Sequence, residues 1–288
     1  MKKLIATLVT FMTTVSAYAL PVGNPWDASL LSEGLILEGY CLDYCDPCSS
    51  WWDAWSVRVG FYGDYVFNRH TQVDLRERDD SIHSTKIFTN AGFIALNFWE
   101  RLDLFATFGG TELQFETRSN VLGRAGINYI VKFETDTHFS WSVGLRGTIW
   151  ECGYLGVGVE AQYFHTRPEL NLIWGEAENP FYFQNSDRAK YQEWQFGLGA
   201  SYRINIGWCS TALIPYVAAK WDRVHISFDH LRVAATSGGT YTLDNLENER
   251  DWGFALGLTL VGCHKASVTV EGRFANEHAV YVNTQFRF

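Results

Sequence analysis

The chain has 288 residues and a formal net charge of −9, from 23 Lys and Arg against 32 Asp and Glu, a balance that disfavours nucleic acid as a partner. Aromatics reach 16%, with 12 Trp, 25 Gly and only 2 Met. That usage suits a barrel with aromatic girdles and glycine-tolerant strands, but a soluble β-sandwich could share it, so the residue pattern has to decide.

Taken from the N-terminus, Lys2 and Lys3 precede an apolar run from Leu4 to Val15 and a small-residue site, Ala17-Tyr18-Ala19. This is the layout of a secretory signal peptide over residues 1–19, cut before Leu20. A transmembrane helix is the weaker reading, because the run is shorter than the roughly 20 residues a span requires. Removal of the leader with its two lysines takes the net charge from −9 to −11. Residues 20–54 then form an N-terminal segment on the periplasmic side, carrying Cys41, Cys45 and Cys48, and residues 55–288 form the body of the fold.

Period-two alternation runs through that body. Phe139, Trp141, Val143, Leu145 and Ile149 oppose Ser140, Ser142, Arg146 and Thr148; Trp194, Phe196, Leu198 and Ala200 oppose Gln195 and Ser201; Val268 and Val270 oppose Thr269 and Glu271. The last ten residues place Val280, Val282, Thr284, Phe286 and Phe288 on one face and Tyr281, Asn283, Gln285 and Arg287 on the other. One apolar and one polar face on strands of about ten residues is what a transmembrane antiparallel β-barrel needs. The expected fold is therefore all-β, with strands near 55–67, 86–98, 102–110, 111–118, 124–134, 137–150, 153–166, 190–206, 211–226, 250–262, 265–274 and 278–288. That is about 12 strands, within a range of 10–16, and an even number leaves both termini in the periplasm. The terminal Phe288 is the candidate barrel-assembly signal.

Parity assigns the connections to sides. Long loops near 68–85, 167–189 and 227–249 fall outside the cell, and tight turns near 99–101, 151–153, 207–210 and 263–264 fall in the periplasm. Cys152, Cys209 and Cys263 sit in those turns, so all six cysteines face the periplasm. In an oxidising compartment disulfides are the default. Cys45-Asp-Pro-Cys48 is a lone C-x2-C, which is weak evidence for zinc, and no metal or cofactor is expected. Because the turn cysteines lie on different hairpins, partners on neighbouring envelope proteins are at least as plausible as partners within the chain.

Charges on the lipid face cost roughly 2–4 kcal/mol for Arg or Lys at mid-membrane. Arg58, Asp64, Asp103, Arg146, Glu160, Arg203, Lys220, Asp222, Glu271, Arg273 and Arg287 are therefore expected to point inward as pore-lining residues. They can line a narrow water-filled channel, or knit into a plug of salt bridges that closes it. An enzyme is not expected: the eight histidines lie mostly near strand ends, and no Ser-His-acid order or GxSxG is present. A non-conducting structural or adhesive outer-membrane barrel is the alternative to a porin.

Several segments carry a family resemblance: Leu20-Pro-Val-Gly-Asn-Pro25, CDPC at 45–48, WDAWSVRVGFYGDYVFNR at 52–69, IFTNAGFIALNFWERLDLFATFG at 87–109, TDTHFSWSVGLRGTIWECG at 135–153, EWQFGLGASYRIN at 193–205, IPYVAAKW at 214–221 and VNTQFRF at 282–288. They resemble the chlamydial major outer membrane protein, and the likeness runs from the cleavage site to Phe288. It implies a trimeric general porin in the bacterial cell outer membrane, passing small hydrophilic solutes and ions by diffusion and disulfide-linked to cysteine-rich envelope proteins. The chain looks like a shorter paralogue, reduced around 110–134, 167–189 and 230–249, with Trp52 where family members usually carry a cysteine.

Overall fold

The computed structural model describes residues 20–32, 55–73, 82–118, 130–174, 180–182, 188–207, 211–228, 232–234, 240–242 and 245–288. The expected leader and Cys41, Cys45, Cys48 and Cys209 lie outside the described residues. Ten long strands close into a ring in strict chain order. They are β1 (Trp55–Arg69), β2 (Ser84–Phe98), β3 (Leu102–Arg118), β4 (His138–Cys152), β5 (Leu155–Thr166), β6 (Ala189–Tyr202), β7 (Ala212–Phe228), β8 (Trp252–Gly262), β9 (Ala266–Phe274) and β10 (Glu277–Arg287). Each strand pairs antiparallel with its chain neighbours, and β10 returns to β1 with Arg58 opposite Arg287 and Asp64 opposite Tyr281. Closure leaves no unpaired edge, as a lipid environment demands.

The sequence predicts about twelve strands; the ring has ten. The stretch read as two strands, 102–110 and 111–118, is the single β3, because Gly109-Gly110 does not turn the chain there. Gly109 pairs with Ala91 and Ser140, and Gly110 with Asn90 and Phe139, so both ladders run straight across. A Cβ on Gly109 would lie 2.0 Å from the Asn90 carbonyl oxygen, so this glycine serves close backbone approach. The expected strand near 124–134 is Ile130–Thr135, which pairs with the end of β3 and with Leu170–Trp174 but takes no place in the ring.

One end of the barrel carries short connections, and the other carries long ones. At the turn end, Trp99 and Glu100 (φ 49° and 54°) and Cys263 and His264 (φ 49° and 55°) are the central residues of the turns Phe98–Arg101 and Gly262–Lys265, in three-residue connections closed by the pairs Phe98–Leu102 and Gly262–Ala266. Both positive φ values mark type I′ turns, whose twist matches the flanking strands. At the loop end the ring is extended by Ile130–Thr135, Leu170–Trp174, Thr71–Val73 and Leu246–Asn248. Outside, Val59, Phe61, Leu104, Phe108, Leu145, Phe196, Leu198, Phe254 and Val270 form part of an exposed apolar belt. Inside, polar and charged residues are buried, with an apolar cluster at the loop end built from Val66, Ile87, Leu113, Phe115, Phe164, Tyr191, Val224 and Ile226.

Candidate functional site: the lumen

Alternation aims the inner face. On β10, Tyr281, Asn283, Gln285 and Arg287 are buried while Val280, Phe286 and Phe288 are exposed, the division read from the sequence. Direct cross-strand neighbours then bond across the ladders. Thr89 meets Thr111 at 2.8 Å, Thr107 meets Ser142 at 2.7 Å and Thr259 meets Thr269 at 2.8 Å, each pair in register.

The inward charges named below form three groups. Toward the turn end, Asp103 Oδ2 accepts from Arg58 at 3.1 Å and from Arg146 at 2.8 Å, and Asn97 donates to its other oxygen at 2.6 Å. The Arg146 guanidinium also sits 5.7 Å from the Phe93 ring and 5.6 Å from the Phe105 ring, within cation–π range. Arg287 reaches Glu100 at 2.7 Å, tying β10 to the β2–β3 turn. Toward the loop end, Arg69 donates to the Tyr191 hydroxyl at 2.6 Å, to both Glu193 oxygens at 2.8 and 2.9 Å and to Asp222 at 2.9 Å, and it pairs with Glu277 at 3.2 Å. Lys220 pairs with Asp222 at 2.8 Å and Glu277 at 2.9 Å. Arg273 pairs with Asp64, and Glu271 accepts from the Tyr216 hydroxyl at 2.7 Å. β1 and β6 stand five places apart in a ring of ten, so the Arg69–Glu193 tie crosses the lumen from wall to wall.

Ten of the eleven charges expected inside are buried there: Arg58, Asp64, Asp103, Arg146, Glu160, Lys220, Asp222, Glu271, Arg273 and Arg287. Arg203 is not brought to them. It follows the last residue of β6 at the rim, and its Nε donates to Asn205 at 3.0 Å.

Reasoning from sequence missed Arg69, Glu193 and Glu277. Glu193 shares the phase of Gln195, and Glu277 that of Tyr281, so simple parity could have found both. Arg69 was hidden, because a register shift between Val66 and Asn68 changes the phase of β1 and turns Arg69 inward.

Also unanticipated is what fills the lumen. Residues 20–32, expected in a periplasmic segment, lie inside the barrel, with a short helix α1 (Asp27–Leu30) near their end. Glu271 accepts from the backbone N–H of Val22 and Gly23 at 3.1 and 3.0 Å. Arg58 donates to the carbonyls of Asp27 and Ala28 at 2.6 and 2.8 Å, Asn97 to Ala28 at 2.8 Å and Gln195 to Pro21 at 2.9 Å. Arg146 holds the Asp27 carboxylate at 2.7 Å, and Arg287 donates to the Leu31 carbonyl. Trp26, Leu30 and Leu31 pack on Ala212, Ile214 and Val261.

Comparison with known proteins gives the family and an outer-membrane location. The family described as Chlamydia major outer membrane protein matches residues 1–82, 76–129, 127–181, 183–248 and 239–288. The major outer membrane porin of Chlamydia abortus is 32% identical, with 100% of both chains covered. That of Chlamydia pneumoniae is 34% identical over 95% of each, and the serovar A porin of Chlamydia trachomatis is 31% identical over the full length of both. Among solved structures, the translocator domain of the autotransporter NalP from Neisseria meningitidis is similar at 13% identity and a TM-score of 0.41, covering 85% of this chain and 91% of that one. The profile match along the length of the chain and the full-length identity place this ten-stranded barrel in the chlamydial major outer membrane protein family.

Proposed function

We propose that this chain is an outer-membrane porin, passing small hydrophilic solutes and ions by passive diffusion. One observation carries the reading: a closed ring has an apolar outer face and an inner face that is charged from the Arg287 level at the turn end to the Arg69 level at the loop end. Lipid seals the first, and hydrated solutes need the second. Relatives named as porins, a family without catalytic chemistry in its name, support it. Purified protein refolded into planar bilayers should give discrete conductance steps, and loaded liposomes should swell in small sugars. Well-folded protein that gives neither response, with residues 20–32 present or removed, overturns the porin.

The wall-to-wall Arg69–Glu193 tie and the occupied lumen favour a second reading, a non-conducting structural or adhesive barrel. The same recordings decide between the two.

The orientation follows the usual rule for such barrels, with the turn end and both ends of the ring in the periplasm and the long loops outside. Cys152 and Cys263 are both exposed at the turn end, suited to disulfides with neighbouring cysteine-rich envelope proteins and to a trimer embedded in outer-membrane lipid. A membrane-impermeant thiol reagent applied to intact cells after mild reduction should leave both unlabelled. Labelling from outside would invert the topology.

A further inference from the structure

We propose that the inner wall is a peptide-binding groove and that its occupant, residues 20–32 of the same chain, is a removable plug that sets the conductance; the proposal rests on the porin reading. Recognition of this segment is largely recognition of peptide backbone. Its N–H groups at Val22 and Gly23 meet the two oxygens of Glu271, and its carbonyls at Pro21, Asp27 and Ala28 meet Gln195, Arg58 and Asn97. Such contacts are how a groove holds an extended peptide, with side-chain pockets supplying selectivity.

The pockets are present as missing side chains. Gly156 and Gly158 on β5 and Gly197 and Gly199 on β6 share the inward phase of Glu160, Gln195 and Ser201, and Gly158 stands opposite Gly199. A Cβ on Gly158 would lie 2.0 Å from the Pro25 carbonyl oxygen, and one on Gly199 2.4 Å from Pro25 Cγ. A Cβ on Gly197 would meet Val22 Cγ1 at 2.4 Å, and one on Gly156 the Trp26 ring at 2.7 Å. Glycine weakens a strand interior and is kept where another backbone comes close. At Gly156 and Gly197 the close neighbours are all in the segment 20–32, so an empty lumen would set no such limit there; Gly158 and Gly199 also lie close to the neighbouring strands, with the Gly147 and Val217 carbonyl oxygens 2.8 and 2.9 Å from the added Cβ.

The tether permits withdrawal. Residues 33–54 join the segment to β1, and at roughly 3.3 Å per residue they can reach about 70 Å, more than the depth of a strand of about ten residues. A plug that leaves through the turn end therefore stays attached.

The test compares single-channel recordings of the full mature chain, a variant lacking residues 20–32, and a full-length Gly156→Val/Gly197→Val variant. Removal of the segment should raise the conductance or the open fraction severalfold, and a synthetic peptide of residues 20–32 should block the shortened protein. The glycine variant guards against a shortened chain that fails to fold, and its sign is diagnostic. Added valines narrow an unoccupied lumen and lower conductance, so a rise comes only from displacing the plug. Equal conductance in full-length and shortened proteins, or a fall in the glycine variant, overturns the plug and leaves the porin standing. Silence from all three, with heat-shifted gel mobility proving that they are folded, overturns the porin and the plug with it.

Discussion

Arg69→Ala should lower the stability of the barrel by about 3–5 kcal/mol, the range for removing one partner from a buried ionic cluster. Three carboxylates, Glu193, Asp222 and Glu277, converge on this guanidinium, and all are buried. Without it Lys220 is the one cation among the described residues that pairs with any of them, and its contacts are to Asp222 and Glu277, which leaves Glu193 with the Tyr191 hydroxyl and no cation. The loss is then mainly the penalty of an uncompensated buried charge, not the worth of a contact. Urea titration of refolding in detergent, read by gel mobility and tryptophan fluorescence, measures it. Glu193→Gln added to Arg69→Ala should recover part of the loss. Lys86→Ala, which breaks a partly exposed pair with Glu116, should change stability by less than about 1 kcal/mol. If Arg69→Ala costs no more than Lys86→Ala, the cluster does not hold the barrel together.

Leu198→Arg tests the outer face, and about 2–4 kcal/mol of destabilisation is expected at mid-membrane depth. Leu198 is 55% exposed, within β6, and is paired with Val159 and Ala219. Asn205→Arg on the same line of chain, exposed near the turn end, should cost only about 0–1 kcal/mol, because the penalty falls toward the interface. The same urea titration in lipid vesicles gives both numbers. Equal effects at the two positions would mean that Leu198 does not face hydrocarbon.

The faces, the turns and the division into a short-turn end and a long-loop end were legible in the sequence because each depends on a short-range rule. Period two separates Tyr281, Asn283, Gln285 and Arg287 from Val280, Phe286 and Phe288 with no knowledge of any partner strand. The ring of ten lies within the expected range of 10–16, below its central figure of twelve in part because Gly109-Gly110 reads locally as a break, while the role of Gly109 is set by Asn90 and Ala91 on the preceding strand. Arg69 escaped because one bulge reverses the phase. The occupied lumen was invisible for a stronger reason. Leu20–Ser32 has no periodicity of its own, and its partners lie far along the chain, Glu271 being 249 residues from Val22.

The strict chain order of the ring has a consequence in loop entropy. Nine of the ten pairings join strands that follow one another, and only β1 with β10 must bring together distant parts of the chain. Closure entropy grows as (3/2)RT ln n, so this joint costs about 4 kcal/mol more than a hairpin with a three-residue turn, yet no connecting loop holds it. The segment in the lumen spans it: Arg58 and Asn97 grip Asp27 and Ala28 from β1 and β2, while Glu271 and Arg287 grip Val22, Gly23 and Leu31 from β9 and β10. Residues 20–32 are thus a clasp across the one joint that chain connectivity leaves unsecured.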